Sequence, residues 1–312
     1  MSKLNFKNSD KILIVGGTGF IGRHLVRRCL QDTSKVSVLS LTGASEKLSG
    51  VNYIKADLCD KEMLMAALKG KAYDYVFNLG GYIDHSLYFQ GGRKVIEAHL
   101  IGVMNLLDCL ERGLVKGFVQ VGSSDEYGIC PAPQKEDMRE CAISCYSFAK
   151  TSASHLVQML YRTEGFPASV ARFFLVYGPG QDDKRFLPQI IKACLKGEEF
   201  KTSLGLQLRD FCYVDDAVEG LVQAALSPRA PGQIFNIASG VPVTIRAMVE
   251  KIIQIIGKGT PLWGTYPYRK GENMALYADV ARSKELLAWS TQAPLEEGLE
   301  KTIKYYRQVF LK

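Results

Sequence analysis

The fold is decided by one stretch near the N-terminus, Lys11-Ile12-Leu13-Ile14-Val15-Gly16-Gly17-Thr18-Gly19-Phe20-Ile21-Gly22. It begins with a short apolar run rich in β-branched residues, which is typical of a buried parallel strand. An amphipathic pattern follows the glycines, as expected of a helix. A strand, a glycine turn and a helix in this order predict a dinucleotide-binding βα unit.

The glycines of this turn have separate expected tasks. Gly16 permits the tight turn, and Gly19 lets a pyrophosphate approach the amides and the positive dipole end of the helix. Gly22 lets the helix lie close to the strand. Phe20 and Ile21 belong to the same predicted cofactor site. The spacing is G-x-x-G-x-x-G rather than G-x-G-x-x-G.

Strand-like and helix-like patterns alternate regularly after this unit. This alternation predicts an α/β fold with a doubly wound parallel sheet of the Rossmann type. The predicted strands are 35–39, 51–56, 73–77, 116–121 and 168–174, and the predicted helices include 60–69, 93–112 and 146–164.

The alternation breaks down beyond Tyr177-Gly178-Pro179-Gly180, where prolines are frequent. We therefore expect residues 1–175 to form the dinucleotide-binding domain, with returning segments near 210–238. Residues 176–312 are expected to form a smaller, irregular C-terminal lobe, interleaved with the first, that closes over a substrate. The helices predicted beyond the break are 186–195, 214–226, 244–256 and 295–306.

The end of the second predicted strand, at Ser40, bears on the choice of cofactor. A carboxylate is expected there if the ribose carries a free 2′-hydroxyl. No carboxylate occurs before Glu46, and Lys47 or Arg23 could approach a 2′-phosphate. The sequence therefore favours NADP(H), with NAD(H) as the alternative.

Two other strand ends supply candidate cofactor contacts. Asp57, followed by Leu58, can accept a hydrogen bond from the adenine amino group, or it can cap helix 60–69. Small residues after the fourth predicted strand would let the ribose and nicotinamide lie against the backbone. These residues are Leu79, Gly80 and Gly81.

Candidate catalytic residues lie on the helix predicted at 146–164. Tyr146 and Lys150 are four residues apart and therefore lie on one helix face. A cation one turn away stabilises a phenolate and lowers the pKa of the phenol from about 10. The pair can then exchange a proton with a substrate hydroxyl. Ser123 follows the fifth predicted strand, at the sheet edge where ligands bind in parallel sheets.

The composition excludes several classes of protein. The chain has 312 residues, of which 47% are hydrophobic, and a modest net charge of +7 without a basic stripe. We therefore expect no nucleic-acid binding. No signal peptide or membrane-length apolar run occurs, which predicts a soluble cytoplasmic protein without a membrane partner. The eight cysteines contain no C-x-x-C pair, which predicts free thiols and no metal site.

The motifs together resemble the extended short-chain dehydrogenases/reductases, in the branch of nucleotide-sugar epimerases and dehydratases. The resemblance covers most of the chain, and its motifs stand in the expected order. They are Gly16 to Gly22, Asp57-Leu58, Ser123-Ser124 before Tyr127-Gly128, Tyr146 to Lys150, Arg172 to Pro179, Arg209-Asp210-Phe211 with Tyr213-Val214-Asp215-Asp216, and Arg269-Lys270-Gly271-Glu272.

The resemblance implies roles for individual residues. Tyr146 is the implied acid and base, and Lys150 lowers its pKa while bonding the nicotinamide ribose. Ser123 falls where the family keeps a Ser or Thr that bonds the reacting oxygen of the sugar. Arg209 and Arg269 match arginines that grip the substrate diphosphate. Glu272 matches an acidic residue that bonds the nucleoside ribose.

The sequence also departs from the family pattern. Leu175 replaces a usual Asn, which removes one amide contact to substrate. His99 stands where Asn is common, either as a buried, satisfied side chain or as part of a proton relay. The loop after the fourth predicted strand is short, and it offers candidate substrate contacts at Tyr82, Asp84 and His85.

Three reactions share this scaffold, and Ser123-Ser124-Asp125-Glu126 bears on the choice. In 4,6-dehydratases the Ser or Thr is followed directly by Asp-Glu, whereas Ser124 intervenes here. A locally extended loop would point the two carboxylates in different directions. The stretch looks closer to nucleotide-linked 4-keto-6-deoxyhexose reductases of deoxysugar biosynthesis. We therefore favour NADPH-dependent reduction at C4, with Ser124 and Asp125 as further substrate contacts.

The alternatives are an NAD-dependent 4-epimerase and a 4,6-dehydratase, and a non-catalytic dinucleotide-binding module is a further one. An intact Ser, Tyr and Lys set argues against the module. The resemblance also implies a homodimer, in which helices 93–112 and 146–164 of the two chains pair into a four-helix interface.

Overall fold

The computed structural model of the chain describes residues 4–43, 47–268 and 271–311. Its strands are β1 (Ile12–Val15), β2 (Val36–Ser40), β3 (Val51–Lys55), β4 (Tyr75–Asn78), β5 (Gly117–Ser123), β6 (Ala168–Phe173), β7 (Leu175–Tyr177), β8 (Glu199–Lys201), β9 (Leu208–Tyr213), β10 (Ile234–Ile237), β11 (Pro242–Thr244), β12 (Thr260–Leu262) and β13 (Ala275–Leu276).

The helices alternate with these strands through the first half of the chain. They are α1 (Phe20–Cys29), α2 (Lys61–Leu68), α3 (Gly92–Ile96), α4 (Gly102–Cys109), α5 (Cys145–Glu164), α6 (Phe186–Lys196), α7 (Val214–Leu226), α8 (Ile245–Ile256), α9 (Ala281–Leu287) and α10 (Leu295–Phe310).

A parallel sheet forms the centre of the molecule. Within the described residues it has seven strands in the order β10-β6-β5-β4-β1-β2-β3, and every neighbouring pair is parallel. Strand β1 is buried on both faces, since Ile12 and Ile14 join one hydrophobic cluster while Leu13 and Val15 join another. The predicted Rossmann fold with a doubly wound sheet is confirmed.

Helices cover both faces of this sheet. Residues of α1 and α7, such as Leu25 and Leu221, pack on one face, and residues of α2, α4 and α5, such as Leu64, Leu106 and Val157, pack on the other. This arrangement brings the carboxyl ends of β1, β4 and β5 together at one edge, because neighbouring parallel strands end on the same side.

The second half of the chain adds a smaller sheet. Strand β9 pairs with β7, β11 and β13, and β8 pairs with β12. A separate cluster that includes Ile191, Met248 and Ile303 packs α6, α8 and α10 around this sheet. Strand β10 returns to the main sheet beside β6. The proposed boundary at residue 175 stays a prediction.

The segment predicted as one long helix at 93–112 is not a regular α-helix. The chain is helical from Gly92 to Cys109, but a π-helical segment, Glu97–Ile101, separates α3 from α4. Leu110 then adopts an extended conformation, which ends the helix before a short 3₁₀ turn. The π turn holds one more residue per turn than an α-helix, and such turns are frequent at functional sites.

No helix in the part of the chain that the structure describes is long and apolar enough to cross a membrane. Each of the eight cysteines lies in that part, and each is a free thiol. The same residues contain no cluster of histidine, cysteine and carboxylate side chains that could hold a metal ion.

Candidate active site

The glycine turn after β1 is built on close backbone approaches. Gly16 has a φ of 75°, in the left-handed region that favours glycine. A Cβ atom at Gly16 would lie 2.8 Å from the Leu79 carbonyl oxygen, and one at Gly22 would lie 2.3 Å from the Gly16 carbonyl oxygen. Side chains are therefore excluded at both positions.

Helix α1 begins at this turn with an N-terminus suited to an anion. Its N-cap, Gly19, makes no side-chain capping bond, and the first turn contains no acidic residue. Unpaired amides and the positive dipole end of a helix favour a phosphate group. Phe20 and Ile21 lie in that first turn and are half-buried. The residues therefore fit the pyrophosphate of a dinucleotide.

The ends of β3 and β4 lie beside this turn. A Cβ atom at Gly80 would lie 2.7 Å from Leu58 Cδ1, and Asn105 Nδ2 donates to the Leu58 carbonyl at 2.8 Å. Asp57 accepts from the amide of Cys59. It does not cap α2, because Asp60 is the N-cap. The capping alternative for Asp57 is therefore wrong, and its adenine contact stays a prediction.

The expected ribose end of the site contains few free polar groups. Ser40 Oγ donates to the Thr42 carbonyl at 2.7 Å, and Arg23 donates to the Gly180 carbonyl at 2.9 Å. Lys47 lies over the Tyr53 ring, 5.9 Å from its centroid. Glu46 lies outside the described residues.

Helix α5 places the predicted proton shuttle inside the protein. It begins with a capping box in which Ser144 accepts from the amide of Ser147, and this fixes the first turn that carries Tyr146. Tyr146 and Lys150 are 5% and 4% exposed. Lys150 Nζ donates to the Val121 carbonyl at 2.9 Å and lies 5.8 Å from the centre of the Tyr146 ring.

Burial, rather than the Lys150 cation, determines the direction of the Tyr146 pKa in this structure. Burial raises the pKa of Tyr146, and the Asp125 carboxylate raises it further, while the neighbouring Ser123 hydroxyl lowers it. Burial also lowers the pKa of Lys150 to about 8, against an opposing attraction from Glu126. Tyr146 is therefore a neutral phenol at neutral pH, which can donate a proton.

His99 lies in the π-helical segment and packs directly against the shuttle. Its ring meets the Tyr146 ring edge-to-face at 5.1 Å, and its Nε2 lies 2.7 Å from the Tyr82 carbonyl. Burial and the nearby Lys150 cation lower the pKa of His99 to about 3. Nε2 therefore carries the proton, because it faces a carbonyl oxygen. A Cβ atom at Gly81 would lie 2.1 Å from the His99 ring.

The loop after β4 reaches the same site from the other side. The His85 ring lies 5.7 Å from the Tyr146 ring, and its Nε2 is 3.9 Å from Asp125 Oδ2. Asp84 accepts from the amide and hydroxyl of Ser86 and thereby shapes the loop. Sequence reasoning missed Arg185, before α6, whose positive charge lowers the pKa of Tyr146. It belongs to no motif, so no sequence signal marked it.

The segment after Ser123 is not extended, yet its two carboxylates still point in different directions. A 3₁₀ turn, Ser124–Tyr127, follows β5 directly. Asp125 is partly exposed and donates its amide to Ser123 Oγ at 3.1 Å, whereas Glu126 and Ser124 are buried. Glu126 is therefore withdrawn from the sheet edge where substrate is expected.

Two predicted substrate contacts meet each other in the second lobe. Arg209 donates to the Glu272 carboxylate and to the Leu208 carbonyl at 2.7 Å. The sequence motifs had assigned the two side chains to different parts of a nucleotide. Leu175 lies in β7 opposite Phe211 of β9, and Arg269 lies outside the described residues.

A family comparison decides the classification of the chain. Residues 12–238 match the sequence profile of the NAD-dependent epimerase/dehydratase family. The chain belongs to this family. The predicted membership in the nucleotide-sugar branch of the extended short-chain dehydrogenases/reductases is therefore confirmed, and the site described above is the candidate active site of a nucleotide-sugar enzyme.

Individual family members are similar over nearly the whole chain. A UDP-N-acetyl-α-D-glucosaminuronate decarboxylase of Bacillus cytotoxicus is 28% identical, covering 96% of this chain and 98% of its own. The UDP-glucose 4-epimerase of Thermotoga maritima, solved with UDP-glucose, is 27% identical and has a TM-score of 0.87. The match covers 97% of this chain and 100% of the epimerase chain. MoeE5, solved with UDP-glucuronic acid and NAD, is 26% identical and has a TM-score of 0.84. The match covers 96% of this chain and 99% of the MoeE5 chain.

The Gly22→Ala substitution tests the dinucleotide turn. Overpacking of this kind costs about 1–3 kcal/mol, so we expect dinucleotide affinity to fall about tenfold or more. Fluorescence titration with NADH and NADPH measures the change. The control is Gly113→Ala, because a Cβ atom there meets nothing within 4 Å. Unchanged affinity of the Gly22→Ala protein would contradict the assignment.

Proposed function

We propose that the protein is an NADPH-dependent reductase of nucleotide-linked 4-keto-6-deoxyhexoses, acting at C4. The observation that carries this proposal is the state of Tyr146, a buried neutral phenol whose pKa responds to the neighbouring Ser123 hydroxyl. A reductive step needs a proton donor at the carbonyl oxygen, and a phenol with a raised pKa is such a donor.

Each side chain of the centre has a task in this reaction. The bound dinucleotide supplies the hydride. Ser123 donates a hydrogen bond to the carbonyl oxygen of the sugar, and Tyr146 transfers its proton to that oxygen. Lys150 holds a positive charge behind Tyr146 and stabilises the phenolate that the transfer leaves. Neutral His99 packs against the ring and fixes its orientation.

The position of Glu126 favours reduction over dehydration. A dehydratase must expel water after oxidation, which needs acid and base groups beyond the proton shuttle. Glu126 is fully buried, and Ser154 and Arg172 donate to its carboxylate. Asp125 is the acidic side chain that stays near Tyr146, and with Ser124 it is proposed to contact substrate.

The proposed cofactor is NADP(H), with NAD(H) as the alternative. No carboxylate occurs at the described end of β2, residues 40–43, to bind a free 2′-hydroxyl. The relative MoeE5 was solved with NAD, which supports the alternative. The proposed contacts of either dinucleotide are Gly16, Gly19, Phe20, Ile21, Gly22, Ser40, Asp57, Leu58, Leu79, Gly80, Gly81, Tyr146 and Lys150.

The second lobe is proposed to hold the nucleotide of the substrate. Arg209 and Arg269 would bind its diphosphate, and Glu272 would bind its ribose, which requires the Arg209–Glu272 ion pair to open. Tyr82, His85 and Leu175 are proposed to line the sugar pocket. Substrates of this type are dianionic at the diphosphate, and the net charge of +7 suits such a ligand.

An NAD-dependent 4-epimerase is the second candidate. The similarity to the Thermotoga maritima UDP-glucose 4-epimerase favours it, as does the hydrogen bond that occupies the Ser40 hydroxyl. An epimerase would keep its dinucleotide bound and would use Tyr146 in both directions.

An assay with a panel of nucleotide 4-keto-6-deoxysugars separates these candidates. We expect at least one member to oxidise NADPH stoichiometrically. The reaction is measured as the loss of absorbance of the reduced nicotinamide. The matched reaction offers ordinary nucleotide hexoses with catalytic NAD. If those are interconverted while no keto sugar consumes NADPH, the reductase proposal is wrong and the epimerase stands.

The Tyr146→Phe substitution tests the proton donor itself. Loss of a positioned acid lowers turnover by about 10²–10⁴-fold, whereas dinucleotide affinity should stay within about twofold, because the buried ring is kept. The matched control is Tyr161→Phe, on the same helix but outside the site. Equal turnover of the two variants would remove Tyr146 from the reaction, and a dinucleotide-binding module would then be the better description.

We also propose that the protein is a homodimer. Helix α5 and the segment around α4 each expose apolar side chains at helical spacing, namely Phe148 and Met159 on one and Ile101 and Met104 on the other. Unpartnered apolar faces of this kind favour an interface between copies.

Sedimentation equilibrium should give twice the chain mass of 34.6 kDa. Replacing Phe148 and Met104 by Glu should yield monomers, because each charge would be buried without a partner. Val309→Glu, on the exposed side of α10, is the control. A wild-type monomer at micromolar concentration would refute the dimer.

A further inference from the structure

Two fully buried charges lie next to the catalytic centre, and the proposed reaction uses neither of them. The side chains of Glu126 and Arg172 are both 0% exposed and are joined at 2.8 Å. A buried ion pair is weak evidence for stability, because desolvation offsets much of the attraction. Its placement therefore calls for another explanation.

The carboxylate of Glu126 binds three different elements. Its Oε1 accepts from the Ser123 amide at 2.8 Å. Its Oε2 accepts from the Ser154 hydroxyl of α5 and from Arg172 Nε of β6, both at 2.8 Å. A Cβ atom at Gly122 would lie 2.4 Å from Glu126 Oε1, so the glycine makes room for the carboxylate.

Ser154, which donates to Glu126, lies on the same face of α5 as the catalytic residues. Ser154 follows Lys150 by four residues and Tyr146 by eight, and side chains at this spacing lie on one face of a helix. The Glu126 carboxylate therefore touches both the strand end that carries Ser123 and the helix face that carries Tyr146 and Lys150.

We propose that Glu126 is a positioning residue of the catalytic centre, whose buried carboxylate clamps the Ser123 end of β5 onto α5 and sets the position of the Ser123 hydroxyl relative to Tyr146. The clamp rests on the proposed function, since it acts on the groups assigned to proton transfer. A small displacement of reacting groups lowers turnover strongly while ground-state binding changes little.

The clamp also supplies a negative charge near Lys150. The pKa of Lys150 is about 8 because burial lowers it and Glu126 partly restores it. Removing the carboxylate charge lowers that pKa further, so the ammonium is lost at lower pH. The titratable groups shown beside Lys150 are Tyr146 of α5, His99 of the π segment and Glu126 of the 3₁₀ turn.

The chain offers a matched control for the charge. Arg172 also donates to Glu140. Glu140 lies 3.4 Å from His155, whereas the described bonds of Ser123 and Ser154 to a glutamate are made to Glu126. Glu126→Gln and Glu140→Gln each therefore remove one carboxylate charge that is paired with the Arg172 guanidinium. Only Glu126→Gln also alters the clamp.

The test compares the full-length wild type with Glu126→Gln and Glu140→Gln. For Glu126→Gln we expect kcat to fall about 10–100-fold with KM changed less than about threefold. The pH at which kcat falls on the alkaline side of its pH profile, called the basic limb, should be about one pH unit lower than in wild type. Glu140→Gln should lower the melting temperature but keep kcat and the basic limb.

Equal effects of the two substitutions on kcat and on the basic limb, or a stability loss alone in Glu126→Gln, would overturn the proposal. Ser154→Ala provides a second test that does not depend on the folding of Glu126→Gln. It loosens the clamp without removing charge, so kcat should fall while the basic limb stays. Wild-type kcat in Ser154→Ala would refute the clamp.

A binding measurement separates this proposal from the proposed function. NADH and NADPH affinities are titrated by fluorescence on either side of pH 8 for all three proteins. The pH at which affinity declines should be lower in Glu126→Gln only, even if no sugar nucleotide is turned over. A common midpoint in the three proteins would count against the clamp, whichever reaction the enzyme performs.

Discussion

The hydrogen bond from the Lys150 ammonium to the Val121 carbonyl is the contact on which the active site depends. It joins α5 to the C-terminal end of β5 at 2.9 Å. The charged group that makes this bond is almost completely buried. A buried cation is costly unless it is paired and hydrogen-bonded. The surrounding structure must therefore supply negative potential and fixed acceptors, and this requirement explains why carboxylates lie so close to the tyrosine.

The same requirement accounts for the division of labour between the two acidic residues after Ser123. Glu126 turns inward and neutralises a core that also contains Arg172, while Asp125 stays at the edge of the sheet. Two adjacent carboxylates thus serve different ends, because the 3₁₀ turn that carries them buries one and leaves the other partly exposed. The chemistry available to the enzyme is restricted by which of the two can reach a ligand.

The sequence predicted the sheet well because short apolar strands alternate regularly with amphipathic helical patterns. The spacing predicted that Tyr146 and Lys150 share a helix face, and the family resemblance implied that Ser123 joins them. The sequence did not predict the Arg209–Glu272 pair, because 63 residues separate the partners. Nor did it predict the inward path of Glu126, since a carboxylate in a turn is usually solvated. The direction of the Tyr146 pKa depends on burial, which no local motif specifies.

The π-helical segment Glu97–Ile101 is equivalent to one extra residue inside an otherwise α-helical rod. Deleting one residue to restore regular α-helix would leave α3 and α4 near their present orientations, because the wider π turn already accommodates the extra residue. The bulge itself would be lost, and with it the place of His99 beside Tyr146. Length variation in this helix is thus a route by which related chains can reshape the sugar side of the site while leaving the dinucleotide side untouched.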